Sequence, residues 1–417
     1  MFRDMLWRNR SLLGLLSAEL VSLTGSSMTF VALPWFVLVT TGSTAKMGWV
    51  LAAEMAPIGL LGIPAGSLIA RLGAKRTMLL ADAARGPLLT VLPILFWTHR
   101  LSFPAVLAAT FAVGCFTAPY FASSRIVIPE VAGEDERAVT EVGAVLSGAN
   151  QLTQIAGPVL AGVLIAATSA AVVLVVDAGT YVFSFLTILT VVRAGRRVEQ
   201  TPESKGFLAG LRFLARDNLL GPLLLAACAI NFVAQGTTIG VQALAYFHYH
   251  HDAHVAGFLF GAFGGGALLG ALVAQQLAPK ADLQKTAALA ILAMPVPIYF
   301  LAISMPWAAA AVVIGCFGFT APLVNAPIIG ILTVRTPVAL RPKVMTAVMT
   351  VATLAGPLGF VAASQALDHV SLRVVFLAVA GALSVASFAF AAVLLRARAS
   401  GEGAAAGSVA VAEIAQG

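Results

Sequence analysis

Long apolar runs separated by short polar stretches set the pattern of this chain. A helix needs about 20 mostly apolar residues to cross a bilayer. Twelve stretches reach that length, at 12–38, 46–69, 77–97, 103–123, 141–167, 170–192, 219–246, 254–278, 286–304, 307–334, 344–367 and 372–395. The runs are continuous and do not alternate in segments of about ten residues, which favours helices over barrel strands. The expected fold class is an all-α polytopic membrane protein with twelve transmembrane helices. Pro306 divides the ninth run from the tenth. The first run is too long for a cleavable signal segment, and no small-residue cleavage site follows it.

The longest polar interruption, 193–218, falls near the middle of the chain. It opens with RAGRRVEQTPESK and then turns amphipathic: Phe207, Leu211 and Leu214 share one face, while Arg212 and Arg216 lie elsewhere. That pattern predicts a short helix in the cytoplasmic interface. The expected organisation is a six-helix bundle in 1–192, a linker in 193–218, a second six-helix bundle in 219–395 and a disordered cytoplasmic tail in 396–417. The two bundles look duplicated. Gly66-Ser-Leu-Ile-Ala recurs as Gly270-Ala-Leu-Val-Ala, Gly114-Cys-Phe-Thr-Ala-Pro119 as Gly315-Cys-Phe-Gly-Phe-Thr-Ala-Pro322, and Gly157-Pro-Val-Leu-Ala as Gly356-Pro-Leu-Gly-Phe. Three matches in the same order at nearly constant offset predict two pseudo-symmetric halves, an arrangement used by secondary transporters.

Composition narrows the function. Of 417 residues, 59% are hydrophobic and 10% charged, whereas a soluble domain carries roughly 25% charged residues. Too little polar surface is available for a soluble enzyme, a nucleic-acid-binding protein or a disordered scaffold. The net charge of +7 is read through topology instead. With twelve spans, twenty-one Lys and Arg fall on the side of the termini and three on the other, namely Lys46, Arg100 and Arg373. Both termini are therefore expected in the cytoplasm of a multi-pass inner-membrane protein. Cys115, Cys228 and Cys316 sit inside apolar runs and offer no disulfide framework.

Several motifs carry a family resemblance. Gly66-Ser-Leu-Ile-Ala-Arg71-Leu-Gly73-Ala-Lys75-Arg76 resembles the loop between spans two and three of major facilitator superfamily transporters. Gly157-Pro158-Val-Leu-Ala-Gly162 resembles their glycine-proline motif in span five, which is associated with exporters. Pro119-Tyr-Phe-Ala-Ser-Ser-Arg125-Ile-Val-Ile-Pro129-Glu130 is similar to the span-four exit of the macrolide- and siderophore-exporter-like branch. The resemblance implies the major facilitator fold and gating roles for Gly66, Arg71, Gly73, Lys75, Arg76, Gly157 and Pro158. Two departures stand out. The acidic residue of the loop motif is Ala70 here, and no arginine lies between Phe103 and Ser123 in span four. The proton mechanism of arginine-bearing relatives is therefore not carried over.

Charges within spans cost about 2.5–3.5 kcal/mol each on insertion scales, so they point to function. Five occur, at Glu19, Glu54, Asp82, Arg85 and Asp177, all in the first half. Glu19 shares a polar stripe with Ser22, Ser26 and Thr29. Glu54 stands three residues before Pro57, which frees a backbone carbonyl. Proton coupling needs carboxyls away from water, where charged and neutral forms differ most in cost. Glu19 and Glu54 are the candidates. Asp82 and Arg85, three apart on one helix face, suggest an ion pair steadying an inner gate. Asp177 shares a stripe with Thr180, Tyr181 and Ser184 and reads as a structural hydrogen-bond cluster.

Uncharged polar stripes suggest a substrate cavity. Asn231, Gln235, Thr238 and Gln242 fall on one face of span seven and would be costly against lipid. Hydrogen bonding between helices is the alternative use. Ser22, Ser26, Gln151, Gln154 and Asn325 complete the candidate substrate-binding set. The histidines of Phe247-His-Tyr-His-His-Asp-Ala-His254 read as a solvated external loop whose spacing fits no closed metal site, with zinc or copper binding as the alternative use. No Walker-type phosphate loop is present, so direct ATP coupling and a bound cofactor are not expected. The leading expectation is a monomeric proton-coupled exporter of a small amphipathic or hydrophobic molecule, such as a drug, siderophore or secondary metabolite. Its partners would be that substrate, protons and the bilayer, with no nucleic acid. An importer or uncoupled facilitator is the first alternative, and a membrane-embedded enzyme or sensor the second.

Overall fold

Helix α1 (Arg10–Thr41) opens at Asn9, whose side chain accepts the Leu12 N–H. It ends at Gly42, whose φ of +64° closes the last turn by bonding its N–H to the Leu38 carbonyl. Ser43 then caps α2 (Thr44–Leu72) by accepting the Lys46 N–H at 3.3 Å. Only two residues therefore separate two long helices. A single residue, Gly73 at φ +85°, separates α2 from α3 (Ala74–Trp97). Glycine suits such a turn because it reaches positive φ without a Cβ clash. The bundle continues with α4 (Phe103–Ala132), α5 (Glu136–Ala167) and α6 (Ala170–Thr190), the last capped by Ser169. This computed structural model describes residues 9–132, 136–192, 204–277, 282–337 and 340–399.

The second half begins with α7 (Ser204–Arg216), followed by α8 (Leu220–Ala243). A π-helical turn, Leu244–His248, extends α8. Then come α9 (Ala253–Leu277), α10 (Leu283–Ala293), α11 (Val296–Phe300), α12 (Trp307–Arg335), α13 (Arg341–Leu367) and α14 (Leu372–Ala399). Among the described residues, ten helices are long and apolar enough to cross a membrane. They become eleven when Thr44–Leu61 and Pro64–Leu72, which meet at 67°, count as one bent span. The ninth expected span, 286–304, is broken. Pro295 and Pro297 interrupt it, and neither α10 nor α11 alone has spanning length. Proline removes a backbone donor and crowds the preceding turn, which breaks or kinks a helix. Leu225, Val385 and Phe388 are at least 69% exposed on the helix surfaces, as lipid-facing residues must be.

The chain divides into two compact units. Unit 1 comprises Met1–Glu203 with Val241–Gly261, and unit 2 comprises Ser204–Gly240 with Ala262–Gly417. Unit 1 thus takes in the end of α8, the π turn and the start of α9. Its core includes Leu12, Leu15, Met78, Tyr120 and Ile188. Three contacts tie Val241–Gly261 into it. Trp35 meets Tyr246 edge-on at 5.6 Å, and Phe30 meets Phe260 at 5.7 Å. At the third, a Cβ on Gly257 would lie 2.5 Å from the Pro158 carbonyl and 2.9 Å from the Gly162 Cα, so α9 crosses α5 backbone to backbone. Such crossings need small residues on both helices.

In unit 2, the described apolar residues of α7 pack against neighbouring helices. Leu214 packs with Leu220, Leu224, Leu332, Val344 and Ala347 into a common core. A Cβ on Gly210 would overlap the Lys343 carbonyl, so α7 rests directly on the start of α13. Arg212 and Arg216 remain exposed on the opposite side. The linker stretch 193–203, the Phe207 side chain and the tail from 400 to 417 lie outside the described residues.

Candidate functional site

Helices α1, α3, α4 and α6 bury one cation in the interior of unit 1. Arg85 is 1% exposed and pairs with Asp82, one turn earlier on α3. The guanidinium is sandwiched between two aromatic rings, 4.0 Å from the Tyr120 centroid and 4.4 Å from that of Tyr181. Cation–π contacts of this kind gain strength when water is excluded. Ser184 on α6 donates to the second Asp82 oxygen at 2.7 Å, and its hydroxyl also lies 3.3 Å from the Tyr120 hydroxyl. A fully buried carboxylate persists only with partners of this kind.

Glu19, 2% exposed on α1, stands beside this pair. Its carboxyl faces Tyr120 and Ser124 and lies within electrostatic reach of both Arg85 and Asp82. One Glu19 oxygen, Oε1, has no hydrogen-bond partner among the described residues, and neither does Arg85 Nε. Two buried groups of opposite charge are thus left short of partners in one compartment.

A second carboxyl cluster lies beyond Tyr181. Asp177, fully buried on α6, accepts from Thr29 on α1 at 2.5 Å and from Thr180 at 2.9 Å. It sits directly over Gly25, where a Cβ would overlap Asp177 Oδ1. The Tyr181 hydroxyl is 3.2 Å from Ser26 Oγ on α1. Glu54 on α2 is in electrostatic reach of Asp177. It alone among the five charged residues is partly exposed. Its backbone is held close to α4, because a Cβ on Gly114 would overlap the Glu54 carbonyl. The stripe of Asp177, Thr180, Tyr181 and Ser184 is thus a hydrogen-bonding face that also binds the cation and reaches α1.

The uncharged candidates are more dispersed. Ser22 is buried and Ser26 half-buried in unit 1, near the cluster; on α5, Gln151 is half-buried and Gln154 exposed. In unit 2, Asn231, Gln235 and Thr238 are half-buried on α8. Asn231 Nδ2 donates to the Ala227 carbonyl of its own helix at 3.1 Å. Gln235 faces α13, where a Cβ on Gly359 would lie 3.1 Å from its own Cβ. Gln242 is fully buried in unit 1, and neither amide atom has a partner among the described residues. Asn325 is exposed on α12.

The gating candidates occupy the α2–α3 turn and the α5 crossing. Gly73 makes the turn itself, and Gly66 lies near the end of α2. Lys75 donates to the Val192 carbonyl at 2.5 Å and to that of Leu189 at 3.4 Å, capping the end of α6. A cation suits that position because it meets unpaired carbonyls and the negative end of the helix dipole. Arg71 and Arg76 are exposed. Gly157 crosses α1 where a Cβ would overlap Ser27, while Pro158 presents its carbonyl to α9.

Sequence reading missed a latch in unit 2. Asp217 accepts the N–H groups of Leu219 and Leu220, each at 2.9 Å, and pairs with Arg335 at the end of α12 at 3.2 Å. Burial pushes its carboxyl up, but those N–H donors and the Arg335 guanidinium outweigh this and hold it below the ordinary value of 3.8. The only sequence cue is an Asp just before an apolar run, the usual helix-cap position. In the histidine loop, His254 Nδ1 lies 3.3 Å from Asp252, and His251 meets the Tyr246 ring at 4.1 Å. No group of three metal-binding side chains forms among the described residues.

Known proteins resemble this chain over most of its length. The chain is 27% identical to the multidrug efflux pump Tap of Mycolicibacterium fortuitum over 383 residues, covering 88% of this chain and 91% of the relative. The solved structure of the nucleoside transporter NupG superposes with a TM-score of 0.77 at 14% identity, over 92% of this chain and 98% of that one. A bacterial homologue of the iron transporter ferroportin, solved in an inward-facing state, gives 0.76 at 14% identity, over 92% and 98%. At such identity these two structures speak for the fold alone. The profile of the Major Facilitator Superfamily matches residues 15–360. The chain is a multi-pass membrane transporter and not an enzyme, and it belongs to the Major Facilitator Superfamily.

Proposed function

We propose that this transporter exports a small amphipathic or hydrophobic molecule in exchange for protons, by alternating access of its two halves. The observation that carries the coupling is a set of three carboxyls, Glu19, Asp82 and Asp177, around one buried cation inside unit 1, with Glu54 in electrostatic reach of Asp177. Away from water, three carboxylates beside one cation would leave uncompensated negative charge, which proton uptake relieves. The similarity to a multidrug efflux pump over most of the chain supports the outward direction. Glu19 and Glu54 are the proposed proton carriers. Glu19 lies beside the cation, and Glu54 is the partly exposed member. Ser22, Ser26, Gln151, Gln154, Asn231, Gln235, Thr238, Gln242 and Asn325 are the proposed substrate contacts. The remaining proposals are a monomer, both termini in the cytoplasm, and gating by the α2–α3 turn, the Asp82–Arg85 pair and the Gly157–Pro158 crossing.

Inverted membrane vesicles energised to an acid interior test this reading. A panel of drugs, dyes and siderophores is added, and a pH-sensitive dye follows proton release. Wild type is expected to release protons with at least one compound, and Glu19→Gln to release none. Release that persists in Glu19→Gln would move the coupling site to Glu54. Uptake of a compound without proton movement would favour an uncoupled facilitator.

A further inference from the structure

The four carboxyls of unit 1 fall into two pairs at different depths. At 1.5 Å per residue, Glu54 and Asp177 lie about 15 Å and about 10 Å from the end holding the α1–α2 and α5–α6 turns. Glu19 and Asp82 lie about 13 Å and about 12 Å from the opposite end. Members of each pair are within electrostatic reach of each other. Between the pairs stand Tyr181 and Ser26, hydrogen-bonded to each other, and the Arg85 guanidinium, clasped between Tyr181 and Tyr120. Arg85 is in electrostatic reach of Glu19, Asp82 and Asp177. Hydroxyls flank it on both sides: Thr29 and Thr180 bond Asp177, Ser184 bonds Asp82, and Tyr120 and Ser124 face Glu19.

Without the guanidinium, these carboxyls and hydroxyls would join the two pairs into one polar path inside the helix bundle. An antiporter with such a path would dissipate the gradient that drives it. We propose that Arg85 is an electrostatic barrier that divides this path into two separate proton stations, Glu54–Asp177 and Glu19–Asp82. An arginine side chain stays protonated in proteins and has no acceptor atom, so it cannot relay a proton by accepting one. Its fixed positive charge also repels a proton arriving from either side, as basic groups do in proton-excluding pores. Each station then exchanges protons only toward its own end of the bundle, until a conformational change exposes the other. Asp177 thereby gains a role, as the buried partner of Glu54.

This inference rests on the proton exchange proposed above, so it is tested without substrate. The full chain is reconstituted in liposomes, a pH gradient is imposed with potassium and valinomycin clamping the potential, and an internal pH dye reports proton flux. Arg85→Gln is expected to raise substrate-free flux about tenfold or more over wild type, the change given by a barrier lowered by ~1.4 kcal/mol. Arg85→Lys, which keeps the positive charge, is expected to stay as tight as wild type. Adding Asp177→Asn and Glu54→Gln to Arg85→Gln is expected to abolish the leak. Because Arg85→Gln leaves Asp82 buried without its partner and can fail to fold, Asp82→Asn combined with Arg85→Gln is measured in parallel. It removes both members of the pair and is expected to leak as well. Folded, reconstituted Arg85→Gln or the double variant with wild-type tightness would overturn the barrier. So would an equal leak in wild type or in Arg85→Lys. A leak in Arg85→Gln, with no substrate-driven proton release in wild type, would instead uphold the barrier and sink the export reading.

Discussion

Gly25 shows how one missing side chain can hold a charged group inside a membrane protein. Asp177 Oδ1 and Thr180 Oγ1 occupy the space where a Gly25 Cβ would stand. Replacing Gly25 by Val should therefore force α1 and α6 apart and cost about 1–3 kcal/mol by overpacking. Thermal unfolding in detergent should show a clearly lowered midpoint. Gly143→Ala, at a position with no atom within 4 Å of the new Cβ, should leave the midpoint unchanged or slightly raised. An unchanged midpoint for Gly25→Val would mean that the Gly25 site yields, and an equal drop for both substitutions would mean that overpacking is not the cause. The polar stripe of Asp177, Thr180, Tyr181 and Ser184 is visible in the sequence because its spacing is local. Thr29 is visible only as part of the α1 polar stripe, and its pairing with Asp177 across the interface leaves no trace in the sequence. Likewise Asp82 and Arg85 are legible as a pair one turn apart, whereas the enclosing rings of Tyr120 and Tyr181 come from other helices.

Helix termini govern the next scale. The Asp217 carboxyl both caps the start of α8 and holds Arg335 at the end of α12, so one side chain ties two helices together. Its folded-state value lies below 3.8, so its contribution to stability is fully present above the ordinary carboxyl range. That contribution is lost as the pH falls through the lowered value. Asp217→Asn can still cap the helix but forfeits the ion pair. At neutral pH it should unfold at a lower temperature than wild type, and the gap should close as the pH falls below about 4. A constant gap from pH 7 to pH 3 would assign the effect to packing. Most ends of helices α1 to α6 are legible from hydropathy to within a few residues, because turn or cap signals bound the runs. The far end of α4 is not: the helix continues to Ala132 through a stretch too polar to count as apolar. The ninth span reads as continuous because apolar content alone registers no break, and Pro295 and Pro297 supply one. The face of α7 is legible from its amphipathic spacing. Its resting place on α13 is not, since Gly210 acquires meaning only against the Lys343 backbone.

At the scale of the molecule, the imbalance of basic residues fixes an expected orientation that chemistry can test directly. Both termini should face the cytoplasm, with the α2–α3 turn on the same side. In a background lacking Cys115, Cys228 and Cys316, a cysteine at Arg76 should resist a membrane-impermeant thiol reagent added to intact cells. A cysteine at Arg100 should react. The reverse pattern would invert the molecule and reassign which end of unit 1 each carboxyl pair faces. Repeated motifs in the sequence place an expected boundary near the middle of the chain. They give no hint that Val241–Gly261 joins the first compact unit, because that follows from close crossings such as Gly162 with Gly257.

All five membrane-level charges of the chain sit on α1, α2, α3 and α6, and none lies in the middle of a second-half span. That asymmetry shapes how such a protein can evolve. A substitution among the buried charges risks leaving a partner uncompensated, which costs several kcal/mol, so the first half has little freedom to drift. The apolar and amide-bearing walls of α8, α12 and α13 carry no such debt. Under the export reading proposed above, a lineage can therefore remodel the proposed substrate contacts on those helices, one side chain at a time, while the proposed proton-coupling charges stay as they were inherited.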